Sequence, residues 1–226
     1  MNKLSQSARR LALCVFAAAS MIIASALFGF RADNPLKLTI WIVLAALAGA
    51  VKVRFPGTES SYSFGYFAVL AAMGMLRFPE TVLISMTAAL VQSYWQASKR
   101  PAGIQVLFNM FNYTISGALS WQVFHTLEHM APELSVAVRF TAGASVFFLA
   151  NSGLVSCMLA LVSGRPLREV WENSQLLVLP YYIVGAAFAA ILAIQSSPSM
   201  WLFIALLPSL ALLYGCMRIS VRRAGA

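Results

Sequence analysis

The sequence predicts an all-α, polytopic integral membrane bundle of about eight transmembrane helices, one domain over residues 1–226 without a soluble domain. Three observations carry this. Of the 226 residues, 60% are hydrophobic and 10% charged, whereas a water-soluble domain has about a quarter charged. Apolar runs of about 20 residues recur between short charged clusters, the length a helix needs to cross hydrocarbon. Finally, the cations are divided unevenly between the connections, as they are around a bilayer.

Taken in order, the first span is residues 11–30, entered over Arg9 and Arg10. The string "ASA" at 24–26 resembles a cleavage site, but the apolar stretch is longer than a signal-peptide core, so an uncleaved span is expected. The second span, 38–53, ends in "VRFPG". The third, 62–76, covers only about 22 Å at 1.5 Å per residue and meets the fourth, 80–97, at "RFPE". If residues 62–97 form a re-entrant pair, the count falls to six and every other connection keeps its side. Spans 104–126, 136–162, 174–195 and 200–218 follow. Pro180 and Pro208 predict bends inside the last two, since proline removes one intrahelical bond and crowds the preceding turn. In "RFPG", "RFPE", "KRP" and "RP", proline after a basic residue marks helix boundaries.

With a cytoplasmic N-terminus, the inner segments hold Lys3, Arg9, Arg10, Lys52, Arg54, Lys99, Arg100, Arg165, Arg168, Arg218, Arg222 and Arg223. The outer segments hold Arg31, Lys37, Arg77 and Arg139. Twelve against four predicts a multi-pass membrane protein with both termini cytoplasmic. The net charge of +9 then belongs to headgroup contacts and implies no nucleic-acid partner.

Catalytic machinery is not legible. The seven carboxylates, Asp33, Glu59, Glu80, Glu128, Glu133, Glu169 and Glu172, all fall in connections or at span ends, which argues against a proton-coupled pump. Cys14, Cys157 and Cys216 have no disulfide or metal spacing and read as packing residues. "HTLEH" at 125–129 has the spacing of one zinc peptidase class. It lacks a third ligand and a walled cleft, and it sits where a span leaves the membrane. It reads as an interfacial loop, so no metal, cofactor or enzymatic activity is expected.

Polar side chains inside spans four and five are more informative. Thr81, Ser85, Gln92 and Gln96 share one helical face, and Gln105, Asn109, Asn112 and Ser116 form a stripe on the next. A symmetric turn between the spans would level Gln92 with Asn109, Gln96 with Gln105, Ser85 with Ser116 and Thr81 with Ser120. Such groups either bond across helices or line a site for a small ligand. Asn151, Ser152 and Ser156 extend the polar centre, and Tyr181 and Tyr182 add hydroxyls beside Pro180. The candidate ligand-binding residues are therefore Gln92, Gln105, Asn109, Asn112, Asn151, Tyr181 and Tyr182.

The strings "VRFPG", "FPET", "VQSYW", "KRPAGIQVLFN", "AN" at 150–151, "LPYYIVGA" and "LLPSLALLYGCMRI" together resemble a membrane region of bacterial signalling proteins. In those chains it is the N-terminal sensor-like module ahead of a GGDEF diguanylate cyclase or an HD-type phosphohydrolase. The resemblance covers about residues 36–220. It carries over Gln92, Gln105, Asn109, Asn151, Tyr181 and Tyr182, and adds Arg54, Pro56, Gly57, Arg100, Pro101, Pro180, Gly185 and Tyr214 as family-like positions. The sequence holds no cyclase or phosphohydrolase motif up to Ala226. The expectation is a non-enzymatic membrane sensor or scaffold that binds a small or lipidic ligand and signals to a separate cytoplasmic partner. The alternative is a small transport protein similar to the substrate-binding subunits of vitamin uptake systems.

Overall fold

The computed structural model describes residues 5–31, 33–54, 61–95, 101–174 and 179–194. Among them are eight helices: α1 (Gln6–Phe28), α2 (Pro35–Ala50), α3 (Gly65–Met75), α4 (Phe78–Tyr94), α5 (Gly103–Met130), α6 (Val136–Ser163), α7 (Leu167–Ser174) and α8 (Leu179–Ile194). The described residues are all-helical apart from one small hairpin of β1 (Lys52–Arg54) and β2 (Ser61–Ser63). There Val53 pairs antiparallel with Tyr62.

Local chemistry sets the helix ends. Ser5 starts α1 and Ser135 starts α6, each hydroxyl accepting from an N–H three residues on. Asn34 does the same for α2, with Pro35 in the first turn, where its missing N–H costs nothing. The Glu80 carboxylate accepts from the Arg77 N–H at the head of α4, and Gln105 accepts from the Ala102 N–H at the head of α5. Gly164, at φ +71°, ends α6 in the left-handed conformation that glycine adopts without strain.

Contacts fix the direction of each helix. The Thr81 hydroxyl donates to the Ala72 carbonyl, and Gly65 abuts Ala88, so α3 and α4 are antiparallel. Asn109 meets Ser93 and Gly117 meets Ser85 across α4 and α5. Asn112 meets Asn151, and the Ser120 hydroxyl donates to the Gly143 carbonyl, across α5 and α6. At one end of the bundle, Ser5 donates to the Leu161 carbonyl. At the other, Arg77 pairs with Asp33 at 2.9 Å and the Lys37 ammonium donates to the Met75 carbonyl. Helices α1 to α6 therefore alternate in direction.

The centre is α3. Its sequence, GYFAVLAAMGM, is apolar on every side, and Gly65 through Met73 are all buried. It packs against α2, α4, α5, α6 and α8. Three side chains from its neighbours satisfy its carbonyl end: Lys37 on Met75, His125 on Met73 and the Trp121 indole on Leu76. Unpaired carbonyls at a helix C-terminus carry partial negative charge, which favours such donors.

Several sequence expectations change. Residues 52–53, placed in the second span, form β1, and 62–63, placed in the third, form β2. Their β-branched and aromatic residues suit a hairpin, and hydropathy alone does not separate the two states. Helix α7, placed in a connection, is too short to show in a span-length window. Pro180 is the second described residue of α8, and the residues just before Leu179 lie outside the described ones. By length and composition, α1 and α6 are able to cross a membrane, and α2 and α3 are shorter apolar helices. The eighth span, with Tyr214, Cys216 and Pro208, lies outside the described residues, as do Pro56, Gly57, Gln96, Lys99 and Arg100.

Candidate functional site

Polar side chains from five helices and β2 meet in one layer of the bundle. The Asn112 amide, 1% exposed, donates from Nδ2 to Asn151 Oδ1 at 2.7 Å, and the Asn151 carbonyl lies 3.4 Å from the same nitrogen. Asn151 Nδ2 in turn donates to the Tyr182 hydroxyl at 3.0 Å. The chain thus runs α5 to α6 to α8. Tyr182 stacks on Tyr66 of α3 at 4.5 Å between ring centroids, with Phe148 at 5.0 Å and Phe147 at 6.1 Å. The Tyr66 hydroxyl reaches back to the Gly185 backbone on α8.

Beside this chain, the Ser63 hydroxyl donates to Gln92 Oε1 at 2.8 Å and accepts from the Gly65 N–H at 3.3 Å. Asn109 Nδ2 donates to the Ser93 hydroxyl at 3.3 Å. Each of these hydrogen bonds joins neutral groups. The two acceptors around Asn112 Nδ2 set the amide's orientation, which leaves Asn112 Oδ1 buried with no partner among the described residues. Ser156 Oγ, on α6, is also buried without one. Orphaned acceptors are few in folded proteins and costly in an apolar interior. Such an atom accepts a neutral hydrogen-bond donor.

Of the sequence-derived ligand residues, Asn112, Asn151 and Tyr182 come together. Gln92 and Asn109 join the same layer but not each other. The α4–α5 register is displaced by one residue from the symmetric one, and one residue is about 100° of helix rotation. Ser93 therefore faces Asn109, while Gln92 turns to Ser63. The four hydroxyls expected to pair across the hairpin do not. Ser85 and Ser116 donate to carbonyls four residues back, Thr81 to Ala72, and Ser120 to Gly143. Ser85 and Ser116 have that acceptor within reach on their own helices, while Thr81 and Ser120 find backbone carbonyls on α3 and α6. Gln105 is exposed and caps α5. Tyr181 and Pro180 lie in α8 and Arg54 in β1, with only their backbones described. Pro101 is half-buried just before α5. Ser63, Tyr66 and Ser93 were not singled out from sequence: Ser63 reaches the layer only because β2 exists, and Tyr66 sits in an apolar run without a periodic signal.

The "HTLEH" motif lies in α5 rather than in a loop. His125 Nε2 is 3.1 Å from the Met73 carbonyl and Nδ1 is 2.7 Å from Glu128 Oε2. Its ring stacks on Trp121 at 4.2 Å, and Arg139 holds the other Glu128 oxygen at 3.1 Å. Both ring nitrogens are engaged, whereas His129 is exposed one turn on. Among the described residues, no three His, Cys, Asp or Glu are grouped to hold a metal ion. We expect His125→Ala to destabilise the protein by about 1–3 kcal/mol through the stranded Met73 carbonyl and Glu128. His129→Ala should stay within about 0.5 kcal/mol. Equal effects in a denaturant titration would refute this assignment.

No curated protein and no solved structure matches the chain. Residues 36–220 match the family model MASE9, of the membrane-associated sensor domains. That range takes in α2 through α8 and every residue of the polar layer. The chain belongs to the MASE9 family.

Proposed function

We propose that this protein is a non-enzymatic sensor module of the bacterial inner membrane. It takes a small neutral ligand at the polar layer and passes a helix shift to a cytoplasmic partner of the cyclase or phosphohydrolase class. The observation that carries this reading is the buried Asn112–Asn151–Tyr182 chain, which ties α5, α6 and α8 together and ends in an unpartnered acceptor. A ligand hydroxyl or amide N–H on Asn112 Oδ1 would alter the same amide that holds α6 and, through Asn151, α8. Family membership supports the sensing role. The chemistry of its hydrogen bonds supports an uncharged ligand.

A multi-pass arrangement of about eight spans, with cytoplasmic termini, fits the alternating helix directions and the cation asymmetry. Exposed Met21, Val43, Leu107, Leu149 and Ile183 give the bundle an apolar exterior suited to lipid. Two measurements test the proposal together. Reporter fusions after Ala131 and after Arg165 should report opposite sides of the membrane, the second cytoplasmic; a shared side would overturn the arrangement. Affinity purification from native membranes should retain a cyclase, phosphohydrolase or kinase, and Asn112→Leu should change that enzyme's activity. Retention of an ATPase complex instead would replace sensing with transport.

A further inference from the structure

Helix α7 follows α6 after Gly164 and carries apolar Leu167, Val170 and Trp171 on one side and Arg168, Glu169 and Glu172 on the other. It packs against α6. Its anchor is the Trp171 indole, half-buried, whose Nε1–H donates to the Ser152 hydroxyl at 3.2 Å. The indole lies 6.3 Å from the Phe148 ring. Ser152 follows Asn151 in the chain, and its own hydroxyl donates to the Phe148 carbonyl at 2.6 Å. Phe148 is also the ring that stands 5.0 Å from Tyr182. The residues that hold α7 are therefore next to those that hold the polar layer. On the outer side Arg168 is 87% exposed and, among the described residues, pairs within the helix, with Glu172 at 2.7 Å.

We infer that α7 is a latch read out from the polar layer: Trp171 holds it on Ser152 and Phe148 while the Asn151–Tyr182 hydrogen bond stands, and releases it when that bond is broken. A shift of Tyr182 moves Phe148, the wall of the indole's seat, and a rotation of Asn151 turns the α6 residue beside the indole's acceptor. The eight described residues of α7 have little helical stability of their own, so losing the Trp171 anchor loosens this segment on α6. Release would carry the four charges at positions 168, 169 and 172 and in the Arg165 connection away from the bundle, together with Val170 and Trp171, which are half-buried in place. This goes beyond the sensing role and requires no ligand, so its failure would leave that role standing.

Limited trypsin cleavage of the full chain in detergent measures the release, with the product of cleavage after Arg168 quantified by mass spectrometry. Local opening sets the rate when reclosing outpaces cleavage. Trp171→Ala should raise cleavage at Arg168 by about tenfold, the scale of one lost anchoring hydrogen bond and its packing. Tyr182→Phe, which keeps the ring and removes the hydroxyl, should raise it several-fold while leaving cleavage after Lys37, at the opposite end, at the wild-type rate. In a Trp171→Ala background the same change should add nothing. If Tyr182→Phe loosens the entire fold, Asn151→Leu serves as the second variant. Wild-type rates at Arg168 in both layer variants would overturn the latch, as would an unaltered rate in Trp171→Ala.

Discussion

Replacing Gly185 with alanine is expected to lower the unfolding free energy by about 1–3 kcal/mol, the range for overpacking a close-packed site. A Cβ at Gly185 would run into the ring and hydroxyl of Tyr66, which is 2% exposed and also packed against Tyr182, one turn away on α8. The ring cannot swing aside, because Tyr66 lies on α3, which neighbours enclose. Denaturant titration in detergent reads the loss. Tyr66→Leu should recover part of it in the double variant by clearing the collision. Gly153→Ala is the control: open space surrounds that position, and alanine in a helix gains up to about 1 kcal/mol over glycine. Equal behaviour of the two glycines would show that α3 and α8 are not in this contact.

Asn151→Leu should cost about 1–3 kcal/mol, because it strands the Asn112 amide and removes the donor to Tyr182 together. In a double-mutant cycle, Asn112→Leu with Asn151→Leu should show coupling of about 0.6–2 kcal/mol, the scale of hydrogen bonds between helices in membranes. Gln92→Leu with Asn109→Leu should be additive to within about 0.5 kcal/mol, since the two have separate partners. Coupling in the second pair and none in the first would restore the symmetric register of α4 and α5.

That contrast shows what the sequence could convey. Depth was legible: Gln92, Asn109, Asn112, Asn151 and Tyr182 lie in one layer because the apolar spans place them there. Azimuth was not, because it depends on how neighbouring helices rotate against each other. A rotation of one residue moved Asn109 from Gln92 to Ser93. The central place of α3 was equally hidden. Its brevity and its apolar faces suggested a weak span, whereas the same two properties describe a helix with neighbours on every side. Span lengths could not reveal the β1–β2 hairpin either. Of the six strand residues only Val53 and Tyr62 favour a strand, and two such residues at the edges of apolar runs read alike as strand or as the end of a helix.

The enclosure of α3 has a consequence for how the chain is made. Synthesis runs from the N-terminus, so α3 emerges well before the helices that complete its surroundings. The donor for its Met73 carbonyl, His125, lies 52 residues downstream, and the Trp121 donor for Leu76 lies 45 downstream. Tyr182, against which Tyr66 stacks, comes later still. Until those partners arrive, the Met73 and Leu76 carbonyls lack their donors, whereas Lys37, made earlier, is already at hand for Met75. The central helix is thus laid down before most of its surroundings. Contacts between such distant parts of the chain are slow to form, so completion of this core waits on α8, whose Tyr182 covers Tyr66.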